Sequence, residues 1–134
     1  MNSFIDHTQW NIYNSAPYVV EANRELLQKF ASDRIIKGFT ITNVGFYAPQ
    51  GRVLRAQLND KDLNKKLTSF EYRNHRITNL EMETATMYGL SKLLGHRAVS
   101  FNAIVANRAT GEFSKDSTST IDALIQYTLG KLTE

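Results

Sequence analysis

The chain has 134 residues, of which 42% are hydrophobic and 22% charged, with a formal net charge of +3 and no cysteine. That length and balance describe one globular unit large enough for a real core, and the absent cysteines exclude disulfides, thiol chemistry and Cys-based zinc sites. The 16 basic residues are spread along the chain, whereas a nucleic-acid binder concentrates them in a stripe, so no nucleic-acid partner is expected.

The N-terminus, MNSFIDHTQW, lacks the basic and apolar regions of a signal peptide, and no apolar run approaches the ~18 residues of a membrane span. A cytoplasmic location without membrane contact is the expectation. After this polar start, SAPYVVEANRELLQKFASD predicts a helix. Ser15 serves as cap, Pro17 sits in the first turn, and Val19, Asn23, Leu26 and Phe30 recur at helical spacing. RIIKGFTITNVG is rich in β-branched and aromatic residues and predicts a largely buried strand. The loop from Gly45 to Arg52 then hangs from that strand's C-terminal end, where ligands gather in α/β folds.

Residues 59–69 carry Asn and Asp capping signals and predict a short exposed helix. EYRNHRITNLEME rises into a strand that ends in two carboxylates. The following helix, METATMYGLSKLLG, is apolar nearly all round, which predicts burial on most sides, with Gly95 as its C-terminal stop. RAVSFNAIVANR predicts another apolar strand. STSTIDALIQYTLGKL closes the chain as an amphipathic helix through Ile121, Leu124, Ile125, Thr128 and Leu132. This alternation of helices and strands is α/β.

Two stretches carry chemistry. Glu81 and Glu83 flank Met82 where a strand passes into a helix. One carboxylate there is explained by the helix dipole, but two beside an apolar helix must be solvated, paired or bound. A sugar suits them, because a carboxylate accepts hydrogen bonds from neighbouring hydroxyls. The other stretch is FYAPQGR. Gln50 offers an acceptor and donors, and Arg52 offers donors only. Together they match a ring edge of C=O, N–H and C=O, as in uracil. Spacing alone favours a plain turn with both side chains in water.

The ordered stretches GFYAPQGR, EMETA and IVANR resemble the C-terminal part of uridine phosphorylases, of the nucleoside phosphorylase superfamily, over residues from about Ser15 to the C-terminus. Those enzymes carry Phe-Tyr-x-x-Gln-x-Arg, then Glu-Met-Glu-Ser-Ala, then Ile-Val-Asn-Arg. The resemblance implies the C-terminal portion of a three-layer α/β/α fold with a mixed sheet, the central sheet being incomplete. Residues 1–14 form an N-terminal segment, and 15–134 a single α/β nucleoside-binding domain.

Carried over residue by residue, the resemblance implies that Gln50 pairs with uracil N3–H and O2 and that Arg52 reaches O4, the two being the catalytic candidates. Phe46 packs over the nucleoside, and Val105 and Ala106 form an apolar wall beside the base, followed by Asn107 and Arg108. Glu83 holds ribose hydroxyls, Met82 lines the ribose pocket and Glu81 supports them. The implied activity is reversible phosphorolysis of a pyrimidine nucleoside to base and ribose 1-phosphate. Phosphate is a co-substrate and no cofactor is implied.

The family's phosphate site comes largely from a Gly-containing loop and arginines that precede this region. Gly45 and Gly51 are isolated, and Arg34 and Arg55 have no glycine-rich neighbours, so the phosphate-binding residues are unassigned. The expected partners are therefore a second copy of the chain or a complementary N-terminal half. A nucleosidase, or a non-catalytic nucleoside-binding or structural fragment, is the alternative. His7, His75 and His96 share no metal-ligand spacing, and no metal is assigned.

Overall fold

The computed structural model describes residues 1–10 and 16–134. The chain is mixed α/β, with a small mixed sheet and several helices. Its elements in order are α1 (Asn2–Thr8), α2 (Arg24–Lys29), β1 (Phe39–Thr42), a 3₁₀ turn (Ala48–Gln50), α3 (Leu63–Ser69), β2 (Glu71–Tyr72), β3 (His75–Glu81), α4 (Thr84–Leu93), β4 (Ala106–Asn107), β5 (Glu112–Phe113) and α5 (Ser117–Thr133). They group into two compact units, Met1–Val20 with Lys37–Thr86, and Glu21–Ile36 with Met87–Glu134. No described helix is long and apolar enough to cross a membrane.

The first unit is built on a three-stranded sheet of order β1-β3-β2. β1 runs parallel to β3, with Thr42 opposite Glu81, and β2 runs antiparallel to β3. Arg73 and Asn74 join β2 to β3 with φ of 50° and 62°. Two consecutive left-handed residues make a tight hairpin turn that matches strand twist, and this hairpin was not foreseen in EYRNHRI. α3 was expected to be exposed, yet Leu63 and Leu67 are buried beside Phe70.

The unexpected helix α1 accounts for part of that burial. Phe4 meets the Phe70 ring edge-on at 5.4 Å and Trp10 at 6.0 Å, while His7 and Ser69 share a 2.9 Å hydrogen bond. Phe39 of β1 joins the cluster, 6.0 Å from Phe70. Aromatic pairs in these geometries contribute about 0.5–1.5 kcal/mol beyond area burial, and they tie α1 to the sheet.

In the second unit the expected helix from Ser15 is shorter. The cap assigned to Ser15 lies outside the described residues, and Pro17 precedes the helix. Asn23 caps α2, its Oδ1 accepting from Leu26 N–H at 3.1 Å, while its own N–H donates to the Ala98 carbonyl at 2.9 Å. An Asx cap competes well with helix continuation, so the chain enters the helix there. Phe30 is buried, its ring tilted at 59° against that of Phe101 with centroids 4.8 Å apart, and Tyr127 Oη on α5 donates to the Phe30 carbonyl at 2.7 Å.

Residues 97–105 form no strand, contrary to expectation, and only Ala106–Asn107 pair, with Glu112–Phe113. A ladder needs a neighbour to take its N–H and C=O groups, and apolar composition alone does not supply one. α4 ends as expected: His96 N–H donates to Ser91 O at 2.7 Å and Gly95 N–H to Lys92 O at 3.3 Å, the paired bonds of a Schellman stop. The expected all-round burial of α4 is not found, since Met87, Leu90 and Leu93 are exposed. α5 follows its prediction, capped by Asp116, whose carboxylate accepts from Ser119 N–H at 3.0 Å.

Candidate functional site

β1 delivers the chain at Thr42 into the loop that carries Phe46, Gln50 and Arg52. The loop folds back on Tyr47, whose carbonyl accepts from the N–H groups of Gln50 and Arg52, each at 3.0 Å. Gly51 then turns with φ 73°, a conformation that costs a side-chain-bearing residue about 1 kcal/mol. Asn64 of α3 donates from Nδ2 to the Gly51 carbonyl at 3.3 Å. A Cβ at Gly51 would lie 2.3 Å from Asn64 Oδ1, so a side chain there would displace the Asn64 amide as well as strain the turn.

This turn brings the amide and the guanidinium together. Arg52 Nη1 donates to Gln50 Oε1 at 2.9 Å and to the Phe46 carbonyl, and the Arg52 guanidinium lies 3.5 Å from the centre of the Phe46 ring. A donor-only guanidinium fixes Oε1 as the amide atom facing it, so Arg52 sets the orientation of the Gln50 amide. Gln50 is buried, while half of Phe46 is exposed. One face of Phe46, the ring expected to pack over the nucleoside, is covered by Arg52, so a base can stack on that face only after the guanidinium swings aside.

The carboxylate pair sits at the C-terminal end of β3, the same end of the parallel pair from which the Gln50 loop leaves. Glu81 Oε1 accepts from the Thr42 hydroxyl at 2.5 Å, and Oε2 accepts from the N–H groups of Glu83 at 2.7 Å and Thr84 at 2.6 Å. Burial pushes the Glu81 carboxyl up, but these hydrogen bonds together outweigh it and hold the group below its ordinary value of 4.5. Glu81 thus caps the N-terminus of α4. Glu83 is exposed and accepts from Met82 N–H at 3.0 Å, and Met82 is partly exposed beside it.

A carboxyl held low in the folded state stabilises the fold above its unfolded value, and that contribution is lost as pH falls through the folded value. Unfolding by urea is therefore expected to become easier below about pH 4.5, the ordinary value. Glu81→Gln should lower stability by about 1 kcal/mol at pH 7, as loss of a charged cap does, and should flatten the acid limb. An unchanged limb in the variant would contradict the capping role.

Val105 and Ala106 are exposed at the start of the β4–β5 hairpin, in the second unit, whereas Phe46, Gln50, Arg52, Glu81, Met82 and Glu83 are in the first. Asn107 shapes the hairpin turn, its Oδ1 accepting from Ala109 N–H at 3.0 Å. Thr42 and Asn64 were not singled out by sequence reading. Their partners lie far off in sequence, and a lone Thr or Asn carries no periodic signal.

No family model matches the chain, and no solved structure matches it. Among curated proteins, the chain is similar to a uridine phosphorylase of Thermococcus kodakarensis, 39% identical over 84 residues. That match takes in 58% of this chain and 27% of the relative. The chain therefore spans about a quarter of the length of the curated protein it matches, consistent with the C-terminal part of a nucleoside-phosphorylase-like protein.

Proposed function

We propose that the chain carries the base and ribose sites of a uridine-phosphorylase-like pentosyltransferase. The observation that carries this reading is the side-by-side pair of Gln50 amide and Arg52 guanidinium, on a loop leaving the same end of a parallel strand pair as Glu81-Met82-Glu83. The partial similarity to a uridine phosphorylase supports it.

In the reaction, phosphate attacks C1′ of the ribose as the C–N bond to uracil breaks, and the bonding pair leaves with the ring. Negative charge develops on the departing base, so donors aimed at its oxygens stabilise the transition state more than the ground state. Gln50 meets uracil N3–H with its amide oxygen and O2 with its amide nitrogen. Arg52, off the Phe46 ring, donates to O4. Phe46 then stacks against the nucleoside, Glu83 takes the ribose hydroxyls and Met82 lines the sugar. Choice among uridine, deoxyuridine and thymidine turns on small groups that discriminate by only about 1–3 kcal/mol.

The phosphate site is assigned to a second copy or to a complementary N-terminal half. Exposed Met87, Leu90 and Leu93 on α4, and Ile121, Ile125, Leu129 and Leu132 on α5, support such a partner, since stripes of this kind are normally covered. The test is uracil release from uridine by the purified chain, with and without phosphate, in samples whose mass is read by light scattering. Phosphate-dependent release from an assembly heavier than the 15.2 kDa monomer is the expected result. Release without phosphate would make the chain a nucleosidase, and uridine binding with no release a nucleoside-holding fragment.

A further inference from the structure

The loop bearing Gln50 and Arg52 and the turn bearing Glu83 leave neighbouring strands, and a small number of contacts sets their separation. Thr42, the last residue of β1, is the register partner of Glu81, the last residue of β3. Its hydroxyl donates to Glu81 Oε1 at 2.5 Å and accepts from Ala85 N–H at 3.0 Å. One step on, Asn43 N–H donates to the Glu81 carbonyl at 2.8 Å. Glu81 in turn holds the N–H groups of Glu83 and Thr84.

We propose that Thr42 is a positioning residue, whose hydroxyl joins β1 to the first turn of α4 and thereby sets where Glu83 stands relative to the Gln50–Arg52 loop. This rests on the nucleoside-site reading above. A hydroxyl is suited to the position because it donates and accepts at once. The acceptor it meets is a carboxylate, and the donor is a first-turn amide that has no partner inside the helix. Valine matches threonine in shape and does neither. Glu81 is then a bracket for the sugar turn, and Glu83 is the carboxylate that meets the sugar.

The role predicts a particular pattern of binding. A nucleoside spans both motifs and feels their separation, whereas the free base touches only the loop. In titrations of the full chain with uridine and with uracil, Thr42→Val is expected to weaken uridine about tenfold, the effect of one lost hydrogen bond to a charged group, and to leave uracil within about twofold. Thr42→Ser, which keeps the hydroxyl, should restore uridine binding. Amide exchange at Ala85 should speed up in Thr42→Val and not in Thr42→Ser.

If Thr42→Val does not fold, Glu81→Gln provides the second variant and should show the same selective loss for uridine. Equal weakening of uridine and uracil, or unchanged uridine binding with faster Ala85 exchange, would overturn the positioning role while leaving the nucleoside reading standing. Failure of the unsubstituted chain to bind either compound would overturn both.

Discussion

Arg52→Ala should lower uracil release by about 10²–10³-fold in any preparation that turns over uridine, the usual cost of removing one donor to developing negative charge. The exposed change Lys65→Ala should leave it unaltered. Arg52 also has structural contacts, stacking on Phe46 at 3.5 Å and bonding to Gln50 Oε1 at 2.9 Å, so a loss of activity alone does not separate chemistry from loop order. The cation–π contact contributes about 0.5–1 kcal/mol at an exposed site, far less than the catalytic loss expected. The two effects separate with 5-fluorouridine, whose departing ring bears negative charge more easily and depends less on a donor. A smaller loss with that substrate supports leaving-group stabilisation, and equal losses would assign Arg52 to loop structure. Arg52→Lys should fall between, because an ammonium keeps the charge but not the planar fork that fixes the Gln50 amide.

Gly38→Ala is expected to cost about 2–3 kcal/mol of stability, toward the upper end of overpacking. A Cβ there would lie 2.4 Å from Thr78 Cγ2, 2.5 Å from Thr78 Oγ1 and 2.8 Å from the Arg76 carbonyl. The exposed Thr78 can rotate, but the Arg76 carbonyl belongs to β3 and cannot move without its ladder. The β1–β3 register already shifts between Phe39 and Thr40, beside the glycine. The measurement is the urea midpoint of Gly38→Ala, alone and with Thr78→Ala. Partial recovery in the double variant is expected, while full recovery would show that only the threonine was in the way. Because β1 ends at Thr42, a strand displaced at its start also disturbs the bond to Glu81.

The elements foreseen most fully are those whose cause is local. α5 needs only its amphipathic stripe and the Asp116 cap, the end of α4 needs only Gly95, and the Gln50–Arg52 pairing follows from a tight turn two residues wide. Elements that depend on a distant neighbour were misread. Residues 97–105 have strand composition and no ladder, α4 has apolar residues and no cover on Met87, Leu90 and Leu93, and α1 is a helix because Phe4 and Trp10 find aromatic company near Phe70. The hairpin at Arg73–Asn74 is an intermediate case, in which Asn74 tolerates a positive φ but Arg73 offers no such cue.

From residue order alone came the α/β class, the loop with its amide and guanidinium, and the pair of glutamates at a strand-to-helix joint. Each is set by side-chain chemistry at short separation along the chain. The division of labour between the glutamates was not readable in the same way. Glu81 and Glu83 are chemically alike and two residues apart, and they differ because Glu81 takes the first amides of α4 and a parallel strand pair brings Thr42 against it, while Glu83 stays exposed. The seating of the Phe46–Arg52 loop against Asn64 was likewise decided by tertiary structure, because the conformation of a turn depends on the surface that receives it.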